Sequence, residues 1–223
     1  MIVTIKRQDN KESEPYFQSF NCETSPDMTV IAVLDKLNSD PELCDIEGKA
    51  AGPIYYESGC RQKICGACAM VINGIPKLAC SAFVRDIKKD RLTIEPLSKF
   101  PVIRDLVVDR SIIDDNLKKA DVYIADHKNF DNKDFSLLYS ASKCIKCGIC
   151  LEVCPNYVKG ENFFGALFAN DACLVALQSN NSKKIKAEYN KHFARGCSKS
   201  GACVDVCPMH IDTLASVCKM NRT

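Results

Sequence analysis

The stretch "CIKCGICLEVCP", Cys144 to Pro155, returns about fifty residues later as "CSKSGACVDVCP", Cys197 to Pro208. Cys144, Cys147, Cys150, Cys154 and Pro155 correspond in register to Cys197, Ser200, Cys203, Cys207 and Pro208, so one copy is complete and the other is a single thiol short. Cysteine is also the compositional outlier, at 15 of 223 residues. So many cysteines serve either as disulfides in a secreted protein or as metal ligands in a reducing compartment. The start, "MIVTIKRQDN", has no basic region followed by an apolar run, so no secretory signal is expected. It alternates like a strand and lacks the Arg/Ser bias of a transit peptide. An odd cysteine count, with many at two-residue spacing, speaks against a disulfide framework. Metal ligation is the expectation.

The spacing C-x2-C-x2-C-x3-C-P is that of bacterial ferredoxins, where the fourth cysteine of each run ligates the other run's cluster. By that rule Cys144, Cys147, Cys150 and Cys207 form a four-thiolate 4Fe–4S site, while Cys154, Cys197 and Cys203 form a site with three thiolates. A cubane short of one ligand readily lacks the corresponding iron, so a 3Fe–4S cluster is the natural occupant, with a different and usually higher potential. Two other readings stay open at this point: Ser200 ligating a fourth iron through its oxygen, or an open iron that binds substrate.

A separate group lies in "GCRQKICGACAMVINGIPKLAC", with Cys60, Cys65, Cys68 and the more distant Cys80. C-x4-C-x2-C followed by a remote cysteine is plant-type 2Fe–2S spacing. Four thiolates must surround two irons, so three come from one tight loop and the fourth from a nearby element. Gly59, Gly66 and Ala67 leave room for backbone N–H groups to approach the sulfurs and stabilise the reduced cluster. The competing reading, a four-cysteine zinc site, favours two C-x2–4-C pairs. Eleven ligands leave Cys22, Cys44, Cys173 and Cys218, read as buried small apolar side chains or ordinary thiols.

Other chemistry is not visible. There is no dinucleotide-binding glycine fingerprint, nucleophile elbow or suggestive carboxylate pair, so no catalytic residue is assigned. A net charge of +2 gives no pointer to nucleic acid. Three clusters form a wire that needs a donor and an acceptor, so the chain is expected to be one subunit of an assembly.

Two domains are expected, 1–103 and 104–223, with the boundary in "SKFPVIRD". The first is strand-rich: "MIVTIKR", "YFQSFNC", "IYYESG" and "LTIEPL" read as strands, and "DMTVIAVLDKLNSD" as a helix starting around Ser25, Pro26 and Asp27. This suggests a small sheet with a helix laid across it. Helical spacing takes over in "VIRDLVVDRSIIDDNLKKADVYIA", Val102 to Ala125. "FFGALFANDACLVALQ", Phe163 to Gln178, is 16 residues long with Asn170 and Asp171 at its centre, too short and too polar to span a membrane. It reads as a buried helix beside a cofactor, and the basic "NNSKKIKAEYNKHFARG" as a solvated helix face or loop.

A plant-type 2Fe–2S site followed by two ferredoxin runs, the second one cysteine short, resembles the iron–sulfur subunits of succinate dehydrogenases and fumarate reductases. All eleven ligands match in order and spacing over essentially the whole chain. The resemblance implies an α+β chain: an N-terminal plant-ferredoxin-like β-grasp domain, then a C-terminal all-α ferredoxin-like domain. It also implies a flavoprotein subunit with FAD, where succinate and fumarate interconvert, and a membrane anchor of cytochrome b type with quinone and with or without haem. The 2Fe–2S cluster would face the flavin and the 3Fe–4S cluster the quinone. Ubiquinone-reducing relatives carry a Trp shortly after the first Cys-Pro and a His directly after the first cysteine of the second run. Here the chain has no Trp and Ser198 stands at the His position. "CPN", "FxGA" and "CxxSxxC" look more like menaquinone-using bacterial members, and Pro155, Lys159 and Ser198 are the candidates for the quinone's vicinity. The implied location is peripheral, on the cytoplasmic side of the bacterial inner membrane. The alternatives are a soluble or thiol-linked fumarate reductase subunit or a related flavin-dependent oxidoreductase, then a free carrier ferredoxin, then a zinc-binding structural module.

Overall fold

The computed structural model describes every residue except 88, 89, 125, 127–130 and 223. The chain divides into two compact units, Met1–Asp109 and Arg110–Thr223.

In the first unit β1 (Ile2–Arg7) and β2 (Tyr16–Asn21) form an antiparallel pair. β5 (Arg91–Glu95) runs parallel to β1, and β3 (Ala69–Ile72) and β4 (Ile75–Leu78) complete the sheet antiparallel, in the order β2-β1-β5-β3-β4. Alternation along β1 and β5 buries Val3, Ile5, Leu92 and Ile94 on one face. Helix α1 (Val30–Asn38) buries Val30, Val33 and Leu34 in the same core. Its N-cap is Thr29, whose hydroxyl accepts from the Ala32 N–H at 3.3 Å. Ser25, Pro26 and Asp27 stand ahead of it in a turn closed by Met28 N–H to Ser25 O, 3.1 Å. A mixed sheet with one helix is the β-grasp arrangement.

Two segments differ from their sequence reading. "IYYESG" joins no strand, because side chains take the bonds that a neighbouring strand would offer. Asn38 bonds both the N–H and the C=O of Ile54 at 2.8 Å, and Asp105 accepts from Tyr55 N–H at 2.9 Å. Residues 102–108 are not helical but form a hairpin of β6 (Val102–Arg104) and β7 (Val107–Val108), turned at Asp105 with φ 46°. The Asp105 carboxylate is buried and also accepts from Arg7 Nε (2.8 Å) and Gln8 N–H (3.1 Å), a reward for the turn that helical spacing cannot register. Only α2 (Ser111–Lys119) is helical in that stretch; Ala125 lies outside the described residues.

The second unit is helical: α3 (Phe135–Ser142), α4 (Ile149–Glu152), α5 (Gly165–Gln178), α6 (Ser182–Tyr189), a π-helical turn (Asn190–Ala194), α7 (Ala202–Asp205) and α8 (Thr213–Arg222). Helix α5 packs against α2, α3, α4, α6 and α8, and every residue from Gly165 to Cys173 is buried. A helix buried all round is a central helix. In α6, Ile185 and Tyr189 face the core while Lys183 and Lys184 are exposed, the pattern of a solvated helix face. Among the described residues no helix is long and apolar enough to cross a membrane.

Candidate metal centres

None of the 15 cysteines is joined to another in a disulfide. In the loop from Gly59 to Cys68, Arg61, Lys63 and Gly66 have φ of 56°, 64° and 78°. These left-handed residues turn backbone N–H groups inward: Gln62 and Ile64 donate to Cys60 Sγ at 3.3 and 3.4 Å, and Cys60 N–H to Cys65 Sγ at 3.4 Å. A side chain on Gly59 would put its first carbon 3.2 Å from Cys65 Sγ, so the residue must stay small. The donated N–H groups hold the Cys60 thiol down at about 7, whereas burial pushes Cys68 up to about 12.

The distance to the fourth cysteine follows from the sheet. β3 begins immediately after Cys68, pairs Ala69 with Leu78 of β4, and so returns the chain to a short 3-10 turn, Ala79–Ser81, where Cys80 sits. The thiols of Cys68 and Cys80 meet, as do those of Cys60 and Cys65, giving two pairs. Three residues that the sequence did not single out, Asp35, Tyr56 and Arg61, hold this loop to α1. Asp35 accepts from Arg61 at 2.6 and 3.1 Å and from the Tyr56 hydroxyl at 2.5 Å. An aspartate on the polar face of an amphipathic helix carries no signal of that role.

The two ferredoxin-type runs fold alike. Lys146 and Lys199 have φ of 53° and 56°, and Gly148 and Gly201 have φ of 84° and 81° as N-caps of α4 and α7. Cys150 and Cys203 ride on these short helices. One cavity is bordered by Cys144, Cys147, Cys150 and Cys207, with Asn170 of α5 and Thr213 of α8. A second is bordered by Cys154 and Cys197, with Ser198 and Ser200. Cys203 and Thr213 border both. Pro155 and Lys159 are exposed on the loop after Cys154 and border neither. Asn170 Nδ2 donates to Thr213 Oγ1 at 3.0 Å. Of the other cysteines, Cys22 and Cys173 are buried and Cys44 and Cys218 exposed.

Among the described residues no three Cys, His, Asp or Glu groups converge on one ion-sized point. Burial raises the thiols of Cys144, Cys150 and Cys203 and brings Cys147 to about 11, so their thiolates need positive charge within the cavity itself. N–H groups again point at sulfur, from Lys199 to Cys197 and from Ile211 to Cys207, both at 3.4 Å. Donor set and N–H direction fit iron–sulfur clusters.

Fold and sites together define an iron–sulfur electron-transfer protein with a β-grasp cluster domain and a helical dicluster domain. Residues 2–115 match the 2Fe-2S iron-sulfur cluster binding domain and residues 140–211 the 4Fe-4S dicluster domain. The succinate dehydrogenase iron-sulfur subunit of Bacillus subtilis (strain 168) is 32% identical over 230 residues, with 98% of this chain and 90% of that one covered. The fumarate reductase iron-sulfur subunit of Wolinella succinogenes is 27% identical over 226 residues, covering 94% and 90%. A chain of the Mycobacterium smegmatis Sdh1 complex in the apo form has the same fold, with a TM-score of 0.78, 22% identity and coverage of 99% and 93%. The chain belongs to the family of iron–sulfur subunits of succinate dehydrogenase and fumarate reductase.

Proposed function

We propose that the chain carries electrons between FAD in a flavoprotein subunit and menaquinone at a membrane anchor of cytochrome b type, in a quinol:fumarate reductase. In this reading Cys60, Cys65, Cys68 and Cys80 hold a 2Fe–2S cluster, Cys144, Cys147, Cys150 and Cys207 a 4Fe–4S cluster, and Cys154, Cys197 and Cys203 a 3Fe–4S cluster. When bound, the clusters supply one-electron carriage. The chain's own residues orient the thiolates, exclude water and direct N–H groups at sulfur. The dicarboxylate chemistry belongs to the flavoprotein partner. The supporting observation is the pair of adjoining cavities that share Cys203, one bordered also by Cys144, Cys147, Cys150 and Cys207, the other by Cys154 and Cys197 with Ser200.

The choice of quinone rests on what borders the second cavity. Ser198 stands there in place of a His, and the chain has no Trp. A site lacking those two donors loses hydrogen bonds to quinone carbonyls worth about 1 kcal/mol each. Ser198 and the exposed Pro155 and Lys159 are the residues proposed near the quinone, with the subunit peripheral on the cytoplasmic side of the inner membrane. Low-potential menaquinol makes fumarate reduction downhill. The purified complex, assayed in both directions, should reduce fumarate faster with menaquinol analogues than it reduces ubiquinone with succinate. The opposite ranking would overturn the assignment.

A further inference from the structure

Asp171 is a carboxylate buried at the centre of α5, and the ligand sets make no use of it. Burying a charge is costly unless it is paired. Its partner is the Lys146 ammonium, with side chains 9% and 39% exposed respectively. Lys146 stands between Cys144 and Cys147 in a left-handed conformation that lysine does not favour. Its backbone N–H is directed at Cys144 Sγ, so one residue ties the first cysteine of the run to the central helix. Burial raises the Asp171 carboxyl and Lys146 opposes that rise.

The second run supplies an internal comparison. Lys199 has the same φ and makes the same bond, N–H to Cys197 Sγ, yet it is exposed and no carboxylate pairs with it among the described residues. The ion pair is therefore no requirement of the loop's backbone. Two other charges act nearby: Arg110, whose Nη1 lies 3.5 Å from Cys147 O, and Asp114, which acts on Asp171.

We propose that the Lys146–Asp171 pair sets the reduction potential of the cluster bound by Cys144, Cys147, Cys150 and Cys207. One-electron reduction adds a negative charge to the cavity. Lys146 stabilises that charge, and Asp171 is a positioning residue that holds the lysine in place and offsets part of its field. The inference rests on reading that cavity as the 4Fe–4S site.

The test is a potentiometric titration of the 4Fe–4S spin-resonance signal in the intact complex. Lys146→Gln should lower the midpoint potential, Lys146→Arg should keep the wild-type value, and Asp171→Asn should raise it. A potential unmoved in Lys146→Gln, or shifted equally in Lys146→Arg, would overturn the proposal, since charge would then not be the control. If Asp171→Asn loses the cluster through misfolding, the two variants of the half-exposed Lys146 still decide. A wild-type complex without any 4Fe–4S signal would remove the reading of the cavity, and the proposal with it, before a variant is made.

Discussion

Ser200 occupies the place that Cys147 holds in the first run, between a left-handed lysine and a left-handed glycine in both. The backbone that would deliver a thiol to the second cavity is therefore already formed. Ser200→Cys is expected to admit a fourth iron, convert a 3Fe–4S into a 4Fe–4S spin-resonance signature and lower that cluster's potential. Quinone-linked turnover should slow, while succinate oxidation with a dye at the flavin should suffer less. An unaltered 3Fe signal in the variant would mean that a residue other than Ser200 faces the missing corner.

At the scale of elements, hairpins carry the first unit's organisation. β3 and β4 bring Cys80 to Cys68. The β6–β7 turn places Asp105 where it accepts from Arg7, Gln8 and Tyr55, joining β1, the segment before the cluster loop and the hairpin itself. Both Arg7 and Asp105 are almost fully buried. Asp105→Ala leaves the guanidinium without its carboxylate and should cost about 3–5 kcal/mol of stability, read as a lower urea midpoint for loss of the first unit's sheet. The exposed pair Arg85–Asp27, at 2.6 Å even shorter than Arg7–Asp105, is the contrast. Asp27→Ala should cost no more than about 1 kcal/mol.

Across the whole molecule, each unit has its own cysteine sites; the 2Fe-2S match covers the first unit and runs six residues into the second, and the dicluster match lies within the second. Protein prepared without oxygen should carry roughly nine irons per chain, with separate 2Fe, 3Fe and 4Fe signatures by spin resonance and Mössbauer spectroscopy. Zinc in place of iron, or an iron content near four, would remove the three-cluster assignment.

Much of this was legible in the sequence because cluster ligation is coded by short spacings. A loop such as Cys144–Cys150 can present three thiols to one cavity only at certain separations, and covalent geometry makes those separations visible in the letters. Alternation in Ile2–Arg7 and the small and apolar run Gly165–Ala169 likewise report burial directly. What the tertiary structure alone decided are the contacts between residues of ordinary surface type: Asp35 with Arg61, 26 residues apart, Lys146 with Asp171, 25 apart, and Arg7 with Asp105, 98 apart. Asp105 also converted an apparent helix at Val102–Val108 into a hairpin, and Asn38 kept "IYYESG" out of the sheet. Such pairings leave no period in the sequence. They depend on which elements pack together, and a charged side chain is written the same way whether it meets water or a buried partner.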